Sequence, residues 1–267
     1  MIPPRTAAWR PLFDACFAGD HAALSAFLAA GADPNQVARS VWRQRPLHRV
    51  CEFRITHPKH AGHDRCIQLL LAAGADPTLR ANSTDMRPVE PAALAGMGIA
   101  AGLVSPRPAD VYAAAALGDS QRIRAILRRH PSAALEPDAA GRTALWYLAA
   151  SRIAADPLGA AGALLDAGAD PNAAGLHVPA LHMALAHTGN QALADLLHAR
   201  GANINANTSI VHSACRFHFQ FLREALTWCA ARGADFTRRD PDKHMNAFEL
   251  ARFLRARKLE RWLQELR

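Results

Sequence analysis

The chain has 267 residues and a formal net charge of +8, and half of its residues are apolar while only 6% are aromatic. Its five cysteines are scattered without a C-x-x-C pair, and no apolar run approaches the roughly 18 residues that a membrane span requires. These features exclude a disulfide scaffold and a membrane-spanning protein, and they favour thin, closely stacked helices. The first residues, Met1–Arg5, lack the apolar core of a signal peptide, so we expect a cytoplasmic protein with reduced thiols.

The positive charge is concentrated toward the two ends of the chain. Residues 1–60 carry 8 basic and 4 acidic groups, and residues 207–267 carry 12 and 7. A basic surface attracts nucleic acid, anionic lipid or an acidic protein. The cations are dispersed, and no basic run with interleaved stacking aromatics occurs, so an acidic protein is favoured over nucleic acid.

Apolar residues at helical spacing predict a helix pair at the start of the chain, Leu12–Ala18 and His21–Ala30. The next helix begins near Pro46, a good first-turn residue. Residues 55–63 lengthen the link to its partner helix, Asp64–Ala73. The second pair therefore carries an insertion that the first lacks.

The stretch that follows is irregular because Pro88, Pro91 and three glycines weaken any helix there. It predicts a short, distorted pair, Val89–Ala95 and Ile99–Leu103. Regular helical spacing resumes with Ala109–Leu117.

An apolar helical run that ends in Gly and continues into a polar turn occurs five times. The Gly stands where a helix C-terminus needs positive φ, and the Asp or Asn after it can bond the local backbone. The copies are Phe27–Asn35, Leu70–Thr78, Leu164–Asn172, Leu196–Asn205 and Trp228–Thr237.

A second phrase, similar to Thr-Pro-Leu-His, follows most of these turns at about ten residues. Its copies are Arg45–His48, Thr143–Trp146, Pro179–His182 and Ile210–His212. Two anchors that recur in fixed order, with a period near 33 residues, resemble the ankyrin-repeat family over nearly the whole chain.

The resemblance implies an all-α ankyrin-repeat solenoid of about eight helix pairs with hairpin turns, of which the third and fourth are degenerate. We expect one domain over residues 1–267, with a charged C-terminal cap. The expected repeats span residues 7–35, 36–78, 79–108, 109–138, 139–172, 173–205, 206–237 and 238–267.

The resemblance also implies that the histidines of the second phrase bond backbone at the neighbouring turn. They are His48, His182 and His212. In this family the Thr of the phrase can also bond the His of the same phrase. In the Thr143 copy, Trp146 replaces that histidine, so this bond is in doubt.

One insertion concentrates potential metal ligands: Cys51, His57, His60, His63 and Cys66. Four of them could hold a tetrahedral zinc ion. The spacing matches no known finger and both cysteines fall on predicted helices, so a polar contact loop is favoured and zinc is the alternative.

No nucleophile elbow, phosphate loop or His-Glu-x-x-His motif occurs, so we expect neither an enzyme nor a cofactor. The paired carboxylates Glu136 and Asp138 lie in a turn without supporting groups that the sequence identifies.

Projection of the repeat places large side chains along the hairpin tips and the first helices, which face a concave groove in this family. Some of them, Tyr147 and Phe217 above all, could instead pack between repeats. The candidate partner contacts are Phe17, Trp42, Arg43, Arg45, Arg49, Tyr147, Met183, His187, Arg216 and Phe217.

The sequence therefore predicts a non-enzymatic protein-binding module that acts through its concave face. We favour an intracellular inhibitor of the immunity type, or an adaptor, that binds a dedicated protein partner with an acidic surface. A bacterial effector that binds host proteins is the alternative, and zinc- or nucleic-acid-binding proteins are less favoured. No membrane partner is expected.

Overall fold

The computed structural model describes residues 9–39, 43–51, 61–81, 85–103, 110–175, 177–205, 209–214, 220–241 and 243–266. These residues form fifteen α-helices, two short 3-10 helices, one π-helical turn and one hairpin with strands of two residues each. The protein is therefore mostly helical with almost no sheet, as expected for an all-α fold.

The chain divides into two compact units, which are described separately. Unit 1 contains residues 1–117 together with residues 151–154, and unit 2 contains residues 118–150 and 155–267. That the chain forms one ankyrin-repeat domain of about eight helix pairs stays a prediction.

The short helices of unit 1 form pairs. The first helix of one pair packs against the first helix of the next, and the second helices pack against each other. In this unit α1 packs against α3, and α2 packs against α4. The helices of unit 1 are α1 (Trp9–Ala18), α2 (His21–Ala29), α3 (Pro46–Val50), α4 (Ala61–Ala72), α5 (Val89–Ala95), a 3-10 helix (Gly98–Leu103) and α6 (Val111–Leu117).

Unit 2 repeats this arrangement: α8 packs against α10, and α7 and α11 both pack against α9. A π-helical turn, Met183–His187, continues α10, and a 3-10 helix, Pro131–Ala134, follows α7. The α-helices of unit 2 are α7 (Ser120–Arg129), α8 (Ala144–Ala150), α9 (Pro157–Asp166), α10 (Ala180–His182), α11 (Gln191–Ala199), α12 (Ile210–Ala214), α13 (Leu222–Ala230), α14 (Ala247–Phe253) and α15 (Arg257–Glu265).

The hairpin of unit 2 pairs β1 (Ala174–Gly175) with β2 (Val178–Pro179) in antiparallel register, with Ala174 opposite Pro179. It lies at the start of the expected repeat of residues 173–205, next to the turn that precedes this repeat.

Several predicted helix bounds differ from those in the structure. The second helix of the second pair begins at Ala61 rather than Asp64, so Asp64 lies in its first turn, where a carboxylate favours the helix dipole. The helix predicted from Ala109 begins at Val111. The short segment predicted over Ile99–Leu103 is a 3-10 helix from Gly98, because two glycines in six residues do not sustain an α-helix.

The turn glycines have the conformation that the sequence predicts. Gly31 and Gly74 in unit 1 have φ values of 87° and 89°, and Gly168 in unit 2 has a φ of 92°. The carboxylate two residues later accepts the backbone N–H that closes the turn, as from Asn35 to Asp33 at 2.8 Å. These local bonds hold the turn without help from a neighbour.

The last residue of the turn phrase joins one turn to the next. Asn35 donates from Nδ2 to the Gly74 carbonyl at 2.9 Å, and its Oδ1 accepts from the Asp76 N–H at 2.8 Å. Asn172 and Asn205 make the same pair of bonds within unit 2, each to the next turn along the chain. Asn at this position is therefore the side chain that ties successive turns together.

None of the described helices is both long enough and apolar enough to cross a membrane.

Candidate protein-binding surface

The first hairpin and the helix after it carry a concentrated positive charge. Residues 34–51 contain four arginines and neither Asp nor Glu. The hairpin closes through a hydrogen bond from the Ala38 N–H to the Gln44 carbonyl at 2.8 Å, and α3 begins two residues later at Pro46. We call this region, together with Phe17 on α1, the hairpin-1 surface.

At the centre of the hairpin-1 surface an arginine stacks on an aromatic ring. The guanidinium carbon of Arg49 lies 4.0 Å from the centroid of the Phe17 ring, and both side chains are half-buried. The Nε2–H of His63 donates to the Phe17 carbonyl at 3.1 Å and so fixes the end of α1 against α4. Cation and ring are thus held in place while part of each stays accessible.

The other arginines of the hairpin-1 surface differ in how they are held. Arg45 donates from Nη1 to the Asn35 carbonyl at 2.6 Å and is half-buried. Arg39 and Arg43 are exposed, and Arg43 has a left-handed backbone with a φ of 41°. Among the described residues, Arg39, Arg43 and Arg45 have no carboxylate partner, so their charges are not compensated, and those of Arg39 and Arg43 face solvent.

The remaining candidate contacts are inside the protein or outside the described residues. Tyr147, Met183 and His187 are 1%, 0% and 2% exposed, so in this conformation no partner reaches them. Tyr147 packs edge-on against the Trp146 ring, with centroids 5.5 Å apart. Its side chain thus packs inside the protein, which is the alternative to a partner contact for this residue. The candidates that lie outside the described residues are Trp42, Arg216 and Phe217.

A buried polar cluster in unit 2 was missed by sequence reasoning. Asp138 accepts from Arg142 Nε at 2.7 Å and from the Tyr147 hydroxyl at 2.6 Å, and it pairs with Arg142 Nη2 at 2.5 Å. The side chains of Asp138 and Arg142 are 1% and 2% exposed. Burial alone would raise the pKa of Asp138, but the hydrogen bonds from Arg142 and Tyr147 outweigh it and lower the pKa.

This cluster anchors one hairpin, because donors of the turn and of α8 occupy both carboxylate oxygens of Asp138. The Asp-x-x-x-Arg spacing, with Tyr five residues further on, was the sequence signal that could have indicated it.

The metal candidates are not brought together as ligands in the described structure. Cys51, His63 and Cys66 are buried, and no three acidic, His or Cys side chains among the described residues are arranged to hold an ion. His57 and His60 lie outside the described residues. Burial raises the pKa of the Cys66 thiol to about 11, which disfavours the thiolate that a metal requires.

The histidines of the second phrase are buried and bond neighbouring groups. His48 donates from Nε2 to the Met86 carbonyl at 2.9 Å in unit 1, as expected. The Nδ1 atoms of His182 and His212 bond the hydroxyls of Ser213 and Ser209 at 2.8 and 2.7 Å. Burial lowers the pKa of His212, and a backbone hydrogen bond at Met245 partly offsets this effect. Burial lowers the pKa of His48 to about 4 and that of His182 to about 3, so both are neutral near pH 7.

Trp146 takes over the role of the missing histidine. Its indole N–H donates to the Val178 carbonyl at 3.0 Å, as Nε2 of His48 donates to the Met86 carbonyl at 2.9 Å. Thr143 Oγ accepts the Trp146 backbone N–H at 3.3 Å. An indole N–H can thus make the same bond to a neighbouring turn as an imidazole N–H.

Short paired helices, glycine turns and side chains that bond from turn to turn define a helical-repeat protein. The model of the ankyrin-repeat family matches residues 44–82, a segment that includes α3, α4 and the Gly74 turn. This match supports the resemblance of the chain to the ankyrin-repeat family, whose members are non-enzymatic modules that bind other proteins. No curated protein sequence matches the chain.

Proposed function

We propose that this chain is a non-enzymatic binding module that holds one dedicated, acidic protein partner on its hairpin-1 surface. The observation that carries the proposal is the set of uncompensated arginines at residues 39, 43 and 45 beside the Arg49–Phe17 stack. Arg and aromatic side chains are the usual anchors of protein interfaces. The face formed by hairpins and first helices is the one that the resemblance predicts to be concave.

The partner should present carboxylates because planar guanidinium groups match them in geometry as well as in charge. The Phe17 ring, half-covered by Arg49, offers an apolar patch beside the cations. An acidic segment with one apolar side chain would satisfy both features.

Within this function, an intracellular inhibitor of the immunity type or an adaptor remains the favoured role, in the cytoplasm. Four of the cysteines are buried thiols, which suits a reducing compartment: Cys16, Cys51, Cys66 and Cys229. A host-directed effector differs from this role in where its partner is found.

The test is capture of partners by tagged protein from the lysate of the source organism, and in parallel from a eukaryotic lysate. The test variant replaces Trp42, Arg43 and Arg49 by Ala. The control variant replaces Arg128 and Arg129, two exposed arginines of α7 in unit 2, by Ala.

We expect one stoichiometric acidic protein that the wild type and the control variant retain and the test variant loses. Its presence in the organism's own lysate supports the inhibitor or adaptor role, and its presence in the eukaryotic lysate alone supports the effector role. A partner that the test variant still binds, or no partner in either lysate, would contradict the proposal.

A further inference from the structure

The turn between α14 and α15 departs from a pattern that three other helix-pair turns of this chain share. Gly19-Asp20, Gly118-Asp119 and Gly189-Asn190 join first and second helices, with glycine φ values of 70°, 65° and 70°. In each, the Asp or Asn side chain caps the following helix by accepting the backbone N–H of the residue three positions later, at 2.9 to 3.0 Å. The α14–α15 turn has Arg255 and Ala256 at these positions.

The backbone of that turn nevertheless follows the common pattern. The Arg257 N–H donates to the Arg255 carbonyl at 3.1 Å, the same distance as from His21 to Gly19. Arg255 therefore adopts the left-handed conformation of the glycine, with a φ of 53°, and Ala256 provides no side-chain cap. A left-handed Arg and an uncapped helix both cost stability, so stability does not explain these residues.

The same turn exposes two large apolar side chains. Phe253 is 69% exposed and Leu254 is 49% exposed, at the end of α14. Strained backbone and exposed apolar groups at one turn are features of a docking site rather than of a packed joint.

Exposed cations surround this apolar pair. Arg255, Arg257 and Arg261 are exposed and have no carboxylate partner among the described residues, and Lys258 lies over the Trp262 ring at 5.0 Å. The nearby carboxylates of Glu260 and Glu265 are engaged by Arg252 at 3.0 Å and Arg223 at 3.4 Å. The turn therefore presents Phe and Leu within an excess of positive charge.

We propose that this terminal turn, residues 253–258, docks on a membrane surface that contains anionic lipid. Adjacent apolar side chains enter the headgroup boundary without a shaped cavity, and flanking Lys and Arg are attracted to an anionic surface. A second copy of the chain would place like charges together. A protein partner would need roughly 800 Å² of fitted surface on each side. The lack of a membrane-spanning helix among the described residues does not bear on such a contact. The terminal turn belongs to unit 2 and the hairpin-1 surface to unit 1.

The test is co-sedimentation of the full chain with vesicles of phosphatidylcholine mixed with phosphatidylserine, compared with vesicles of phosphatidylcholine alone. The apolar variant is F253S/L254S, and its control is L135S/L158S, which alters two exposed leucines elsewhere in unit 2. A third variant, R255G/A256N, restores the common turn.

We expect the wild type and the L135S/L158S control to sediment with anionic vesicles only. F253S/L254S should bind about tenfold more weakly because two partly inserted apolar side chains are lost. R255G/A256N should melt at a higher temperature yet bind about fivefold more weakly, since it removes strain and one cation.

The proposal is overturned if the wild type binds both kinds of vesicle alike, or if F253S/L254S binds as tightly as the wild type. It is also overturned if poly-L-glutamate binds the wild type and F253S/L254S equally and displaces both from vesicles, because cations alone would then account for the interaction.

Discussion

Two hairpins of this protein use arginine in opposite ways. In the hairpin of residues 38–44, arginines face solvent without a carboxylate. In the hairpin of residues 138–142, Arg142 is 1% exposed and is held by Asp138, which also accepts from Tyr147. The backbones close alike, with Ala38 donating to Gln44 at 2.8 Å and Asp138 donating to Arg142 at 2.9 Å.

The difference shows what decides the role of such a turn. A carboxylate at the base of the hairpin pairs with the arginine and holds it inside the protein. An arginine without such a carboxylate stays available to a partner. A third hairpin is intermediate: Arg80 pairs with Asp85 at 3.1 Å, and both side chains are about one-third exposed, at 32% and 35%.

Removal of the buried carboxylate should have the largest effect. Asp138→Asn leaves Arg142 charged and without its counterion inside unit 2, so we expect a loss of about 3–5 kcal/mol in the free energy of unfolding. Urea denaturation measures it. The control is Asp166→Asn, which breaks an exposed pair with Arg200 and should cost less than about 1 kcal/mol. Equal losses of unfolding free energy in the two variants would show that the buried pair does not stabilise the hairpin in the way described.

The close packing around Arg142 gives the next prediction. A Cβ on Gly175 would lie 2.7 Å from Arg142 Cγ and 3.0 Å from both Arg142 Cα and Trp146 Cδ1. Gly175→Ala should therefore cost about 1–3 kcal/mol. Gly162→Ala, in α9 with nothing within 4 Å of the added carbon, should instead stabilise by roughly 0.5–1 kcal/mol. Thermal melts of both variants check the pair, and a destabilised Gly162→Ala protein would argue against this packing.

The protonation of buried histidines should appear as a pH dependence of stability. Burial lowers the folded pKa of His48 to about 4 and that of His182 to about 3, against an unfolded value near 6.5. Below about pH 6.5 these histidines are protonated in the unfolded chain but stay neutral in the folded chain. The free energy of unfolding therefore falls as the pH drops toward 4, by up to about 1.4 kcal/mol per pH unit for each histidine. In His182→Asn the slope of unfolding free energy against pH should be shallower. An unchanged slope would mean that His182 is protonated in the folded protein.

The smallest effect is expected at the turn-to-turn asparagines. Asn172→Thr removes the bonds to Gly201 and Asn203, which are exposed, so a loss of about 1 kcal/mol is expected. Thr237→Asn provides the comparison, because Thr237 already stands at the same position of its turn phrase. Chemical denaturation should show a loss of unfolding free energy for Asn172→Thr only. A similar loss in both variants would mean that the exchange of Asn and Thr itself, and not the lost bonds between turns, lowers the stability.

The turns were predictable because their cause is local. Only glycine adopts positive φ without strain, so Gly31, Gly74 and Gly168 identify their turns by residue type, and the Asp two residues later bonds within the same phrase. The resemblance to ankyrin repeats followed from the same two recurring phrases.

The joints between turns were not predictable, because each depends on a partner about thirty to forty residues away. Asn172 bonds a carbonyl 29 residues later, and Trp146 bonds one 32 residues later. Residue spacing alone identified neither acceptor. The substitution of indole for imidazole becomes clear only when the Val178 carbonyl is in place.

The candidate contacts were only partly predictable for a related reason. Projection of the repeat separates hairpins and first helices from second helices, but it does not show how closely alanine-rich helices pack. Every residue of α8 is buried, which places Tyr147 inside unit 2. The arginines of the first hairpin remain at the surface because the chain supplies no carboxylate there.

The most direct test of the hairpin-1 surface is photo-cross-linking with benzoylphenylalanine at position 43, compared with position 128 on exposed α7. In lysate, position 43 should cross-link to a single acidic protein, the same one that tagged wild-type protein captures, and position 128 should not. Cross-linking of that protein from position 128 but not from position 43 would contradict the assignment of the binding surface to the first hairpin.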